Sequence, residues 1–296
     1  MLKKIAFVLS LVLIISINFA VSQEVETPAV ETPSVAKTPV ADAFACSMLI
    51  ETQTINQPTK KSKEFIIHHR IGTIKKLSDL FGVYGPANTR LGINYGITDK
   101  LMIGFGTEKF NKMQEFLLKY SILQQKENGM PFFLTYYGNV VICGREKAYF
   151  GDNYNFASRL SYFHQLIIAR KFSERLSMEI APYFLHFNKV DSLYSNQAIG
   201  ASIGGRFKIW NEISFMAEFN YVSPLESFDY PKNADGEDVP GASKPGFAFG
   251  FEKNGGTHAF QLFATTYNNI IAQKNYLYNH RDFNSLLIGF NITVRF

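Results

Sequence analysis

The chain has 296 residues and a net charge of +5, from 30 Lys+Arg against 25 Asp+Glu; aromatic residues make up 15% and charged residues 19%. Such a chain is too aromatic to be disordered, too mildly basic for a nucleic-acid binder, and too poor in cysteine for a disulfide framework or a cysteine-rich zinc site. A mean hydropathy of -0.04 excludes a bundle of membrane helices, each of which needs about 20 apolar residues in succession.

The first element is an export signal. Lys3 and Lys4 precede an apolar run from Ile5 to Ile17, and Ala20-Val21-Ser22 offers the small residues a signal peptidase reads. A membrane anchor is the alternative, but the run is short for a span and no flanking charge follows it. Residues 1–22 are therefore expected to be removed. Next comes EVETPAVETPSVAKTPVAD, with Thr-Pro at Thr27-Pro28, Thr32-Pro33 and Thr38-Pro39. Proline at this density blocks helices and ladders, so residues 23–61 are expected to be a disordered periplasmic linker, with the folded domain at 62–296.

From there to the end the dominant period is two. The last segment shows it best: Leu286, Ile288, Phe290, Ile292, Val294 and Phe296 alternate with small or polar residues. Comparable runs begin at Phe65, Leu91, Leu101, Phe116, Phe132, Leu160, Leu176, Ile199, Ile213, Phe247 and Phe260, twelve segments in all. Tight turns recur at Thr98-Asp99-Lys100, Ser173-Glu174-Arg175 and Asn211-Glu212; at Asn254-Gly255, Asn-Gly is expected to supply positive φ. Longer polar connections fall at 144–153, 188–196, 223–246 and 267–284. Short turns at one end and long loops at the other predict an all-β, closed antiparallel transmembrane barrel of about twelve strands. A soluble sandwich would share the period, but the face opposite the Phe, Leu, Ile and Tyr residues is too polar for a sandwich core. Phe296, a terminal aromatic ending an alternating strand, is expected to act as an outer-membrane assembly signal, with the barrel-assembly machinery and outer-membrane lipid as partners.

Several stretches carry a family resemblance: Glu64-Phe65-Ile66-Ile67-His68-His69-Arg70-Ile71-Gly72, Asn88-Thr89-Arg90-Leu91-Gly92-Ile93-Asn94-Tyr95-Gly96, and Gln165-Leu166-Ile167-Ile168-Ala169-Arg170-Lys171-Phe172-Ser173-Glu174-Arg175-Leu176-Ser177. With them the region from about Gln53 to Phe296 resembles a family of outer-membrane-type β-barrel proteins, a domain family of unknown function. The resemblance implies the barrel and the outer membrane of a Gram-negative-type bacterium. It brings no catalytic residues.

Catalytic and metal patterns are scarce. Neither Gly-x-Ser-x-Gly nor His-Glu-x-x-His occurs. Ser161 and His164, three apart on one strand, face opposite ways, as do adjacent His68 and His69, so neither pair makes a nucleophile–base couple or a chelate. His186 and Ser192 could meet at a loop, where an ordinary polar rim is the simpler reading. Cys46 and Cys143 could pair in an oxidising periplasm but are read as incidental. No cofactor and no metal are expected.

The inward face then carries the function. Alternation places Arg70, Arg90, Lys119, Arg159, Arg206, Lys208 and Arg295 there, with Glu64, Glu108, Glu115, Glu179, Glu218 and Glu252, seven basic groups against six acidic. On the lipid face each would cost ~2–4 kcal/mol at mid-depth. Twelve strands spaced ~4.8 Å and tilted ~40° enclose a backbone diameter of roughly 24 Å, and side chains leave at most ~10 Å. The expectation is a narrow channel or binder for small polar solutes, unless the acidic connection 223–246 (Asp235, Glu237, Asp238) closes the opening. The competing class is a non-conducting structural or surface-interaction barrel, and a barrel enzyme ranks third.

Overall fold

The structure is a computed structural model that describes residues 38–41, 43–73, 84–191, 194–225 and 243–296. The expected signal peptide, the Thr-Pro repeats before Thr38, Ser192 and the acidic centre of connection 223–246 lie outside the described residues.

Twelve strands form one closed antiparallel barrel: β1 (Lys63–Thr73), β2 (Asn88–Gly96), β3 (Leu101–Glu108), β4 (Met113–Leu123), β5 (Phe133–Cys143), β6 (Leu160–Lys171), β7 (Leu176–Phe187), β8 (Gln197–Trp210), β9 (Ile213–Pro224), β10 (Gly246–Asn254), β11 (His258–Thr265) and β12 (Leu287–Arg295). Each strand pairs with its sequence neighbours, and β1 closes on β12. All twelve alternating segments are strands. β9 shows why: Phe215, Ala217, Phe219 and Tyr221 face outward, while Ser214, Met216, Glu218, Asn220 and Val222 are buried inside. An outward apolar band and an inward polar face are what a strand between lipid and lumen requires. Closure leaves no unpaired edge, since backbone groups in hydrocarbon have no water to bond.

The turns β2–β3, β6–β7, β8–β9 and β10–β11 share one end, as expected. Two connections depart from the pattern: β4–β5 at this end takes nine residues (124–132), and β3–β4 at the other takes four (109–112). In the β10–β11 turn the positive φ of 78° falls on Gly256 and not on Asn254, because Asn254 still belongs to β10.

Two corrections concern the interior. First, the inner wall is not polar all round. Phe133, Tyr137 and Val141 of β5, Phe163 and Ile167 of β6, and Ala181, Tyr183, Leu185 and Phe187 of β7 point inward and are buried. Each of these strands is apolar on both faces, so alternation alone does not reveal what its inner face meets. Second, the expected linker up to residue 61 does not hold for the described residues. Val40 N–H donates to Gln125 O (2.9 Å) in the β4–β5 connection, and Ala43, Phe44, Cys46, Ser47, Met48, Leu49, Ile50, Glu51, Thr52 and Thr54 are all buried. The proline repeats stop at Pro39, and Phe44–Ile50 is an apolar, proline-free stretch that gains by burial.

Candidate functional site: a filled lumen

Residues 43–57 turn back on themselves inside the barrel. Leu49 N–H donates to Thr52 O (2.8 Å) and Thr54 N–H to Ser47 O (2.9 Å), with a bridge between Met48 and Gln53, making a hairpin whose tip is Ile50-Glu51. A hairpin this small is at best marginal by itself in water. Here the wall holds it. Glu218 accepts the backbone N–H groups of Ile50 (3.3 Å), Glu51 (3.0 Å) and Thr52 (3.2 Å). Gln261 Nε2 donates to Leu49 O (2.7 Å), Asn291 Nδ2 to Ile50 O (3.1 Å), and Lys119 Nζ to Ser47 O (2.9 Å) and Asn56 O (3.0 Å).

The centre of this network is Glu51. Arg70 grips it bidentately, Nε at 3.0 Å and Nη2 at 2.8 Å, and both side chains are completely buried. Asn275 Nδ2 (3.0 Å) and Thr265 Oγ1 (3.2 Å) donate to the same carboxylate. Asn275 belongs to a one-and-a-half-turn helix, α1 (Ala272–Leu277), in the β11–β12 connection. Its Tyr276 packs against Phe163, Tyr183 and Tyr267, with ring centroids 5.8, 4.9 and 5.8 Å away. Gln273 Nε2 donates to Asn139 Oδ1 at 2.6 Å. Among the described residues, the connection that enters the lumen is 267–284. The hairpin enters from the short-turn end, α1 from the long-loop end, and they meet at Glu51.

The charged residues expected on the inner face fall into three groups. Seven meet the plug or one another across the wall: Arg70 and Lys119 as above, Glu64 with Ser47 Oγ (2.6 Å) and Arg295 (3.8 Å), Glu218 with the hairpin tip, and Arg206 with Glu252 (2.7 Å). Arg90 and Glu115 form a separate buried pair through Arg90 Nε (2.9 Å) and Nη2, and Glu115 also accepts from Tyr137 (3.0 Å) and Asn139 (2.5 Å). Arg90 lies flat across β2 and β3, so that a Cβ on Gly106 would fall 2.3 Å from its Nη2. Glu108 accepts from Asn88 (2.6 Å) and from Asn111 N–H (2.9 Å) near the long-loop end.

Three of the expected residues stand apart. Arg159 sits in a 3-10 turn before β6, bonds Tyr154 (2.8 Å) and Cys143 O (2.8 Å), and stacks on Phe150. Lys208 is exposed at the short-turn end. Glu179 is buried with neither carboxylate oxygen hydrogen-bonded among the described residues.

Other expectations can be placed as well. Cys46 and Cys143 are both buried free thiols. His68 is buried beside Arg90 (3.3 Å), while His69 faces outward, bonded to Thr89 (2.8 Å) and packed at a tilt against Phe290. His164 bonds Tyr136 (2.6 Å) on the outer surface, and His186 bonds Asn188 (2.8 Å). At the long-loop end burial lowers the pKa of His280, helped by Lys244 and Lys274 nearby, so its ring is neutral at pH 7.

Sequence reasoning missed Glu51, the hairpin around it and α1. One signal was available: the inner face counted seven basic groups against six acidic, and Glu51 supplies the seventh acid.

No curated protein sequence matches the chain. Solved structures with a similar barrel include the NanC porin (9% identity, TM-score 0.49, covering 78% of this chain and 98% of that one). The KdgM porin matches at 8% identity (TM-score 0.47, covering 79% and 99%). An outer-membrane channel of Pseudomonas putida F1 matches at 11% (TM-score 0.45, covering 81% and 97%). A family profile described as a membrane bound beta barrel domain (DUF5777) matches residues 44–296, so it starts at the plug hairpin and not at β1. The chain belongs to this family of membrane-bound β-barrels.

Proposed function

We propose that the chain is an outer-membrane channel for small polar solutes, exported by its signal peptide and closed at rest by its own N-terminal hairpin. The observation that carries this reading is a pair of cavities separated by the plug. One, about 640 Å³, opens at the short-turn end between hairpin residues Phe44 and Ala45 and the wall residues Arg206, Lys208, Glu212 and Arg295. The other, about 440 Å³, lies at the long-loop end beside Asn275 of α1. Asn275 and Glu51 touch, so the two elements seal a path that the barrel itself leaves open. The tip of the hairpin is tethered by hydrogen bonds and one ion pair. Such partners can be replaced by water when the lumen hydrates, at a net cost of about 0.5–1.5 kcal/mol for each neutral bond.

The test is conductance in planar bilayers, comparing the whole chain with a variant lacking residues 38–57, each first shown to be folded by heat-modifiable migration. The whole chain should be silent or nearly so. The deletion variant should conduct in steps, with ion selectivity altered by Arg90→Ala or Arg206→Ala. A folded deletion variant that remains silent even when α1 is also replaced by a short Gly-Ser linker overturns the channel and leaves a structural or surface-interaction barrel.

A further inference from the structure

The cavity at the long-loop end has a lining of consistent chemistry. Among the described residues it is bounded by Asn268, Asn269, Asn275, Tyr278, Asn279 and Arg281, together with Thr266 and His280. The residues bounding this space of about 440 Å³ carry four carboxamides, two hydroxyls, an imidazole and a guanidinium, and no carboxylate is among them. That volume is within the usual range for sites that enclose a small organic ligand.

Hydrogen-bonding capacity is left over at several of these residues. Asn275 is buried and uses its Nδ2 on Glu51, but its Oδ1 is buried with no hydrogen-bond partner. A buried amide oxygen without a partner is desolvated at a cost that a donated ligand hydroxyl removes. Arg281 engages only Nη1, with Thr73 Oγ1 (2.9 Å) and Ser285 O (3.3 Å). Its Nε and Nη2, the fork that suits a carboxylate, have no partner among the described residues. Asn268 contributes its backbone oxygen to Asn88 (3.3 Å), so its carboxamide is available to a ligand. Asp282, the residue after Arg281, is already bound to Lys244 at 3.1 Å. Lys274 adds positive charge behind Tyr278, with its ammonium 3.2 Å from the ring centre.

We infer that this cavity binds a small carboxylate bearing several hydroxyls, of monosaccharide size, with Arg281 on the carboxylate and the carboxamides of Asn268 and Asn275 on hydroxyls. The inference deepens the channel reading by naming the class of solute that first meets the barrel from the long-loop side. It also puts that solute one residue away from the plug, since Asn275 holds Glu51.

The experiment is calorimetric titration of the full chain in detergent micelles with D-glucuronate, glucose and acetate as separate probes. Glucuronate should bind saturably and at least tenfold more tightly than glucose or acetate. Arg281→Gln should weaken glucuronate at least tenfold, Arg281→Lys should recover part of the loss, and Asn268→Ala should weaken it several-fold. Each variant is checked for folding by heat-modifiable migration. Absence of saturable glucuronate binding, equal binding of acetate or glucose, or an unchanged affinity in folded Arg281→Gln overturns the site. Binding is read without any transport. Glucuronate binding beside a silent plug-deleted barrel therefore supports the site on a non-conducting barrel. Conductance without glucuronate binding removes the site alone.

Discussion

Glu51 and Arg70 form a fully buried ion pair between the hairpin and the wall. Removing one partner of such a pair leaves the other charged and desolvated, which costs about 3–5 kcal/mol, whereas the net worth of the intact pair is much smaller. The consequence can be measured with a reporter already in the chain, because Cys46 is buried in the hairpin at 3% exposure. In a Cys143→Ser background, Cys46 of the folded protein should resist maleimide. Adding Glu51→Ala should speed its labelling a hundredfold or more, as a loss of 3 kcal/mol or more in hairpin docking requires. Labelling at the same rate in both proteins would show that this pair does not hold the hairpin. Most charged positions inside the barrel were legible from alternation alone. Their partners were not, because Glu51 lies outside any strand and comes to Arg70 from 19 residues away.

At the scale of elements, all twelve strands could be read because one face of each must meet lipid, and that demand writes period two into the sequence. The hairpin and α1 could not be read in this way. Both are short, irregular and enclosed by the wall, so no fixed period governs their side chains. What exposes the hairpin in the sequence is the change from Thr-Pro repeats to Phe44–Ile50. The inward Phe133, Phe163 and Tyr183 have their explanation here, as the surfaces on which Leu49, Ile50 and Tyr276 pack.

The last strand makes its own prediction. Phe296 exchanges backbone hydrogen bonds with Lys63 (2.9 and 3.0 Å) where the barrel closes, while its side chain is 74% exposed. Phe251, on the outer face of β10, is also well exposed. Replacing either ring forfeits at most ~2–3 kcal/mol of burial. If Phe296 is the assembly signal, Phe296→Ala should lower the amount of barrel in the outer membrane far more than Phe251→Ala. Equal levels of the two by quantitative immunoblot of membrane fractions would reject that role.

For the molecule as a whole, the family match and the outward apolar band place the barrel in a membrane, and the remaining question is which end faces which compartment. Both chain ends of the barrel, Lys63 and Phe296, lie at the short-turn end. The hairpin enters there too, after residues 38–40 have run along the β4–β5 connection. An exported chain leaves its N-terminal segment on the periplasmic side, and barrels of this kind place short turns there and longer loops outside. Both arguments predict a periplasmic hairpin, with the mouth cavity at Arg281 facing the exterior. Single-cysteine labelling on intact cells tests this in a background lacking Cys46 and Cys143. Ser173→Cys, in the β6–β7 turn, should react with a membrane-impermeant maleimide only after the outer membrane is opened. Lys147→Cys, in the β5–β6 connection, should react on intact cells. The reverse pattern would invert the barrel and give the plug, and any solute bound at the mouth, to the opposite compartments.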